Sequence, residues 1–138
     1  MTSKPISMNT TTLAYLGDAI YELMIREHVI RKGIVHSDRL HLASVRYVRA
    51  DAQAEAIREI YDSLPEDEQA LVRRAKNRKI STKPKNATPM DYKWATAFEA
   101  LLGYYHLCGN HDALQSTVEK AIEQIEGLHR SDGEGKEK

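Results

Sequence analysis

The sequence has few of the residues and motifs that mark several classes of functional site. Its 138 residues include a single cysteine, Cys108, which excludes an internal disulfide and any Cys-x-x-Cys metal or redox site. No apolar run reaches the roughly 18–20 residues of a membrane span, and residues 1–8 lack the apolar core of a signal peptide. Nucleotide-binding loops and zinc-protease motifs are also missing. We therefore expect a cytoplasmic protein that does not bind a membrane.

A net charge is missing as well, because 20 basic residues balance 20 acidic ones. One segment departs from this balance, with seven basic side chains and no acid: Arg73, Arg74, Lys76, Arg78, Lys79, Lys83 and Lys85. Charged loops are ordinarily just solvated, but such a density of one sign favours contact with phosphates. We call this segment, residues 73–85, the basic segment and predict that it contacts phosphates.

The apolar residues recur at helical spacing over nearly the whole chain, with no strand-like alternation of useful length. This pattern predicts an all-α fold of about six helices, near residues 11–32, 37–47, 48–64, 66–77, 89–109 and 110–127. Thr10 or Thr11 is the predicted cap of the first helix, and Thr88 that of the fifth. We expect one domain at 10–129, between a flexible N-terminus at 1–9 and a disordered tail at 130–138.

Two carboxylates lie beside the apolar stripes of their helices rather than on the polar faces. Asp18 occurs in LAYLGDA and Glu99 in FEALLGYY, and each has a glycine nearby, Gly17 and Gly103. If these helices cross closely at the small residues, the carboxylates converge. Paired carboxylates repel each other unless a cation lies between them, and Mg²⁺ takes one or two carboxylates together with water and substrate phosphate. The alternative is that each acid caps a helix or pairs with an arginine.

The motif LAYLGDA, followed far downstream by FEALLGYYHL, resembles the catalytic domain of the ribonuclease III family over about residues 10–128. With the basic segment between the motifs, the chain is most similar to the stand-alone mini ribonuclease III subgroup. The resemblance implies that Asp18 and Glu99 are catalytic and bind Mg²⁺. It also implies that Tyr15, in place of a signature phenylalanine, anchors a homodimer by entering the partner subunit. Three positions that are acidic in the wider family are neutral here: Thr11, Ala14 and Thr96.

The resemblance further implies an endoribonuclease that cuts double-stranded RNA, as an obligate-looking homodimer, and leaves 5′-phosphate ends. Maturation of the large-subunit (23S) ribosomal RNA precursor is the implied role, and a ribosomal protein that presents the substrate is a candidate partner. Because the chain is too short for a separate double-stranded-RNA-binding domain, we expect the basic segment to provide much of the binding. Two alternatives stay open: a non-catalytic RNA-binding module on the same fold, and a helical protein-interaction domain.

Overall fold

The computed structural model of the chain describes residues 4–79 and 87–137. Within these residues the chain forms six α-helices and no strand, which confirms the predicted all-α class. The helices are α1 (Thr10–Arg31), α2 (Ser37–Val48), α3 (Ala50–Ile60), α4 (Glu66–Lys76), α5 (Pro89–Cys108) and α6 (His111–Glu137). Short 3-10 turns at Pro5–Ser7 and Tyr61–Ser63 precede α1 and α4. None of the helices, over the part of the chain described, is long and apolar enough to cross a membrane.

The first helix begins with a cap that the sequence analysis assigned to the wrong residue. The Asn9 side chain, rather than Thr10 or Thr11, accepts hydrogen bonds from the backbone N–H groups of Thr11 at 2.8 Å and Thr12 at 3.4 Å. Asparagine is one of the strongest N-cap residues, since its carbonyl oxygen reaches the unpaired N–H groups of the first turn. The predicted cap was therefore wrong, and α1 begins one residue earlier than expected.

The fifth helix is the centre of the bundle. Its most extensive contact is with α1, followed by α3 and α4. The helix begins as predicted, because Thr88 accepts a hydrogen bond from the Asp91 N–H at 3.1 Å, and it ends at Gly109, whose φ of +71° favours glycine. Contacts on several sides explain why its buried residues do not form a single stripe: Ala95, Ala97, Phe98, Ala100, Leu101, Leu102, Gly103 and Tyr105.

Two glycines allow α1 and α5 to cross with their backbones in contact. A Cβ atom at Gly17 would overlap the backbone carbonyl of Glu99, and one at Gly103 would overlap the carbonyl of Leu13. Any larger residue at either position would force the helices apart. This reciprocal contact confirms the predicted close crossing, and it places Asp18, the next residue after Gly17, beside Glu99.

The domain bounds of 10–129 stay a prediction, and the structure describes contacts before the first bound and helix beyond the second. The segment before α1 was expected to be part of a flexible N-terminus at 1–9, yet the Arg74 guanidinium donates to the carbonyl oxygens of Ile6 at 2.9 Å and Met8 at 3.2 Å. At the other end, α6 continues past Gly127, its predicted last residue, into the predicted tail at 130–138. One glycine costs only about 1 kcal/mol inside a helix, so Gly127 does not end this one.

A half-buried carboxylate, that of Glu126, fixes α6 against α1 and α2. The Glu126 carboxylate lies 2.7 Å from the His28 ring and 2.8 Å from the Lys32 ammonium, and it accepts a hydrogen bond from the Tyr47 hydroxyl at 2.7 Å. Burial by itself would raise the pKa of Glu126, but these three partners outweigh it and lower the pKa to about 2. Glu126 is therefore a structural acid, in contrast to the acids of the cleft described below.

Candidate active site

A cleft of about 540 Å³ opens between the N-terminal halves of α1 and α5 and the C-terminal end of α4. It brings together both predicted catalytic acids, the predicted dimer anchor, two members of the basic segment and all three positions that are acidic in the wider family. The lining residues are Thr11, Ala14, Tyr15, Asp18, Ala75, Arg78, Lys79, Tyr92, Lys93, Thr96 and Glu99. Five of the ten predicted site residues therefore line one cleft, although Tyr15 and Glu99 are 84 positions apart in the chain.

The two carboxylates of the cleft have different environments. Asp18 is exposed, whereas Glu99 is half-buried at the α1–α5 crossing. The pKa of Glu99 is raised to about 8, first because burial removes its carboxyl group from water and second because the negative charge of Asp18 is close. A divalent cation bound beside Glu99 would favour its ionised form and offset the repulsion from Asp18.

The donor set fits Mg²⁺ better than a transition metal. Among residues 4–79 and 87–137, no group of three or more His, Cys, Asp or Glu side chains is placed to hold a metal ion. The next acid along α1, Glu22, pairs with Arg26 at 3.2 Å. Two carboxylates with open space beside them match the preference of Mg²⁺ for few protein ligands, several water molecules and substrate phosphate. Zinc, by contrast, takes three or four nitrogen, sulphur or carboxylate ligands from the protein.

Gln53 on α3 is a neighbour of Glu99 that the sequence analysis missed. Its side chain is only 3% exposed, and its amide nitrogen donates to the Val48 carbonyl at 2.9 Å. The amide oxygen has no hydrogen-bond partner among the described residues. Gln53 also lowers the pKa of Glu99 through a side-chain hydrogen bond, although by less than burial raises it. One signal could have revealed it: Gln53 is a polar residue on the apolar stripe that continues with Ile57 and Ile60.

The three positions that the family resemblance matches to acids contribute no charge to the cleft. Ala14 is buried, Thr11 is exposed, and Thr96 donates its hydroxyl hydrogen to the Tyr92 carbonyl at 2.9 Å. A lysine, Lys93, instead lines the cleft one helical turn before Thr96. Lys93 was not predicted as a site residue, because it lies outside the basic segment and its adjacent residues, Tyr92 and Trp94, carry no charge.

The structure divides the basic segment into two groups. Three members make internal contacts: Arg73 donates to the Tyr61 hydroxyl at 2.7 Å, Arg74 binds the N-terminal turn, and the Lys76 ammonium lies 5.1 Å from the centre of the Trp94 ring. Arg78 and Lys79 are exposed and line the cleft. Lys83 and Lys85 lie outside the described residues. Of the described members, Arg78 and Lys79 are thus the two that face the acids.

Tyr15 is not a core residue of its own chain. Its side chain is 83% exposed at the rim of the cleft, three residues before Asp18. A second groove, of about 340 Å³, lies between α1 and α2 and has the apolar side chains of Val29, Ile30 and Leu40 in its lining. An exposed aromatic ring and an apolar groove on one small domain are the elements of a self-complementary interface.

Comparison with known proteins agrees with the resemblance read from the motifs. The model of the ribonuclease III domain family matches residues 11–110. The mini-ribonuclease 3 of Brevibacillus brevis is 42% identical over 127 residues, which cover 92% of this chain and 95% of that protein. The mini-ribonuclease 3 of Symbiobacterium thermophilum is 41% identical, with 90% and 95% covered. An X-ray structure of a Fusobacterium nucleatum protein superimposes with a TM-score of 0.81 at 34% identity, covering 88% of this chain and 98% of that one.

Proposed function

The chain belongs to the ribonuclease III family as an endoribonuclease of double-stranded RNA, and we propose that it uses Mg²⁺ held by Asp18 and Glu99. The observation that carries this proposal is the convergence of the two carboxylates in one cleft, where burial and the charge of Asp18 oppose the ionisation of Glu99. When bound there, Mg²⁺ supplies a Lewis acid that activates water for attack on the scissile phosphate and neutralises the charge that develops on it.

Glu99, Asp18 and Gln53 have different roles in the proposed metal site. Without a cation, Glu99 holds a proton at neutral pH, because its pKa is about 8. Metal binding therefore releases that proton, and the affinity for Mg²⁺ rises with pH up to about this value. Asp18 is exposed, so its carboxyl group is accessible to an incoming cation. Gln53 lowers the pKa of Glu99, although by less than burial raises it.

The cations of the cleft account for RNA recognition without base reading. Arg78 and Lys79 stand at the rim, where a duplex that approaches the acids places its phosphates. The deep, narrow major groove of A-form RNA prevents side chains from reading base edges, so contacts to phosphates and 2′-hydroxyl groups determine binding. As the natural substrate we propose the precursor of the large-subunit (23S) ribosomal RNA, with a ribosomal protein as a candidate partner that presents it. Both proposals rest on the mini ribonuclease III resemblance.

A homodimer is part of the same proposal. One domain has one Asp18–Glu99 pair, whereas a duplex has two strands to cut, and a two-fold dimer relates two sites by the symmetry that relates the strands. Tyr15 is the proposed anchor, because an exposed aromatic ring that fills a partner's pocket is a common form of interface hot spot. The groove between α1 and α2, which has Val29, Ile30 and Leu40 in its lining, is the proposed pocket for that ring.

One observation favours a second candidate, a non-catalytic double-stranded-RNA-binding module on the same fold. The family's acids are replaced at Thr11, Ala14 and Thr96, so a metal would have only two carboxylates. We favour the enzyme, because a module that only binds RNA has no use for a half-buried acid whose ionisation is opposed by burial and by the charge of Asp18.

The test compares Asp18→Asn, Glu99→Gln and the wild type on long duplex RNA, in Mg²⁺ and in EDTA. Each substitution removes an anionic ligand at nearly constant size, so we expect a loss of cleavage of at least about 100-fold, with duplex binding in EDTA retained. Glu119→Gln, on the surface of α6, is the matched control and should cleave like the wild type. Near wild-type cleavage by either cleft variant would contradict the site. A wild type that binds duplex RNA but never cuts it would establish the second candidate.

A further inference from the structure

The charges of the cleft are unlike those of a site built to hold two metal ions. Three cations, Arg78, Lys79 and Lys93, line it together with only two acids, Asp18 and Glu99. With both acids ionised the lining is still net positive. A first Mg²⁺ adds two more positive charges, so a second divalent cation would enter a site that already repels it.

Lys93 lines the same cleft as Thr11, Ala14 and Thr96, the three positions that are acidic in the wider family. It is the fifth residue of α5, three residues before Thr96, and its side chain is half-buried. Among the described residues no carboxylate comes within 4 Å of its ammonium group. A half-buried ammonium without an anionic partner is electrostatically incomplete, and an anion from outside the chain would complete it.

The residues around Lys93 are compatible with an anion. Thr11 and Thr96 are neutral where acids would repel a phosphate, and Ala14 adds no bulk. Thr11 is exposed, so its hydroxyl group is available as a second donor, whereas the Thr96 hydroxyl already donates to the Tyr92 carbonyl at 2.9 Å. The loss of three acids and the presence of one lysine therefore both favour binding of an anion in this part of the cleft.

We propose that this part of the cleft, with Lys93 as its anchor and Thr11 beside it, binds a non-scissile phosphate of the RNA strand rather than a second metal ion. The proposal rests on the proposed function, since it names how the same site positions its substrate. Lys93 is a positioning residue in this scheme: it holds the strand so that the neighbouring phosphate lies at Asp18 and Glu99.

Binding of a short blunt-ended duplex RNA in EDTA tests the proposal without cleavage or metal. We expect Lys93→Gln to weaken binding about tenfold, the usual cost of one charge-assisted hydrogen bond. The slope of log affinity against log salt should become shallower by about 0.9, because one fewer phosphate is neutralised. Lys93→Arg should restore both quantities. Lys120→Gln, which removes a lysine charge on α6 beside a different surface groove, is the matched control and should change neither.

Steady-state cleavage provides the second readout. Loss of a contact to a non-scissile phosphate should raise KM more than it lowers kcat. An unchanged salt slope for Lys93→Gln would overturn the proposal. So would a severalfold fall in the Mg²⁺ concentration needed for half-maximal cleavage at unchanged RNA affinity, because Lys93 would then be opposing a second cation. If the wild type itself neither binds nor cuts duplex RNA, the proposed function fails instead.

Discussion

Replacement of Glu99 by glutamine should make the metal-free protein more stable while removing its activity. The wild-type carboxyl group has an ordinary pKa of 4.5 in the unfolded chain and a pKa of about 8 in the fold. Between these two values the folded protein holds a proton that the unfolded chain has lost. The free energy of unfolding of the wild type therefore falls as the pH rises through this window. The Glu99→Gln side chain does not titrate and avoids this loss.

The size of the effect follows from the same two values. At 1.36 kcal/mol for each pKa unit, the full difference corresponds to about 5 kcal/mol above pH 8. Glu99 keeps some contact with water, and the surrounding side chains relax when it ionises, so we expect about 2 kcal/mol. Near pH 4.5 the carboxyl group is protonated in the fold, and the two proteins should differ little.

Urea unfolding in EDTA, at about pH 5 and about pH 8.5, measures the difference directly. Glu99→Gln should match the wild type at the lower pH and exceed it at the higher one, and Mg²⁺ should narrow the gap by stabilising the wild type alone. The surface variant Glu119→Gln controls for loss of one acidic charge and should show no such pH dependence. A Glu99→Gln protein that is less stable than the wild type at both pH values would refute the argument that Glu99 is an electrostatically strained acid.

The remaining predictions concern the helix crossing, the rim and the dimer. Gly17→Ala should destabilise the fold by about 2 kcal/mol or more in thermal unfolding, because the new Cβ overlaps the facing backbone, whereas Gly127→Ala, with open space around it, should not. The double variant Arg78→Gln/Lys79→Gln should bind all duplex sequences more weakly, and the salt slope of its affinity should be shallower by up to about 2. Tyr15→Ala should shift the protein from dimer toward monomer in sedimentation, and a wild type that is monomeric at micromolar concentration and cuts both strands would contradict the dimer.

Much of the fold could be predicted because it depends on patterns that are local in the sequence. The helices follow apolar residues that recur within one or two turns, and the cap at Thr88 depends on a residue only three positions away. The predictions were wrong where a structure depends on a contact between distant parts of the chain, or where several neighbouring residues could fill the same role. Nothing local shows that Arg74 holds the N-terminal turn, and Asn9 competed with three neighbouring threonines for the position of cap.

The two acids of the site could be predicted from the sequence, whereas its cations could be predicted only in part. Asp18 and Glu99 stand out because a charge beside an apolar stripe conflicts with helix burial, and Gly17 and Gly103 mark the crossing that unites them. A basic residue on an exposed helix face does not conflict with burial, so it does not stand out in the sequence. In the sequence, basic residues stand out only where several occur close together. In the fold, Arg74 of the basic segment binds the N-terminal turn, whereas the isolated Lys93 lines the cleft that contains the acids.

The small number of carboxylates has a consequence for how metal and substrate bind. Two acids leave most of the coordination sphere of Mg²⁺ to water and to oxygen atoms of the RNA. An ion bound before the RNA lacks those phosphate ligands, and an RNA bound before the ion places its phosphates against two acids without a cation between them. Each ligand therefore completes the site of the other, and by thermodynamic linkage each must raise the affinity of the other by the same factor. With Mg²⁺ bound as we propose, the concentration of Mg²⁺ needed for cleavage is a property of the protein–RNA complex, and it should fall as the RNA concentration rises.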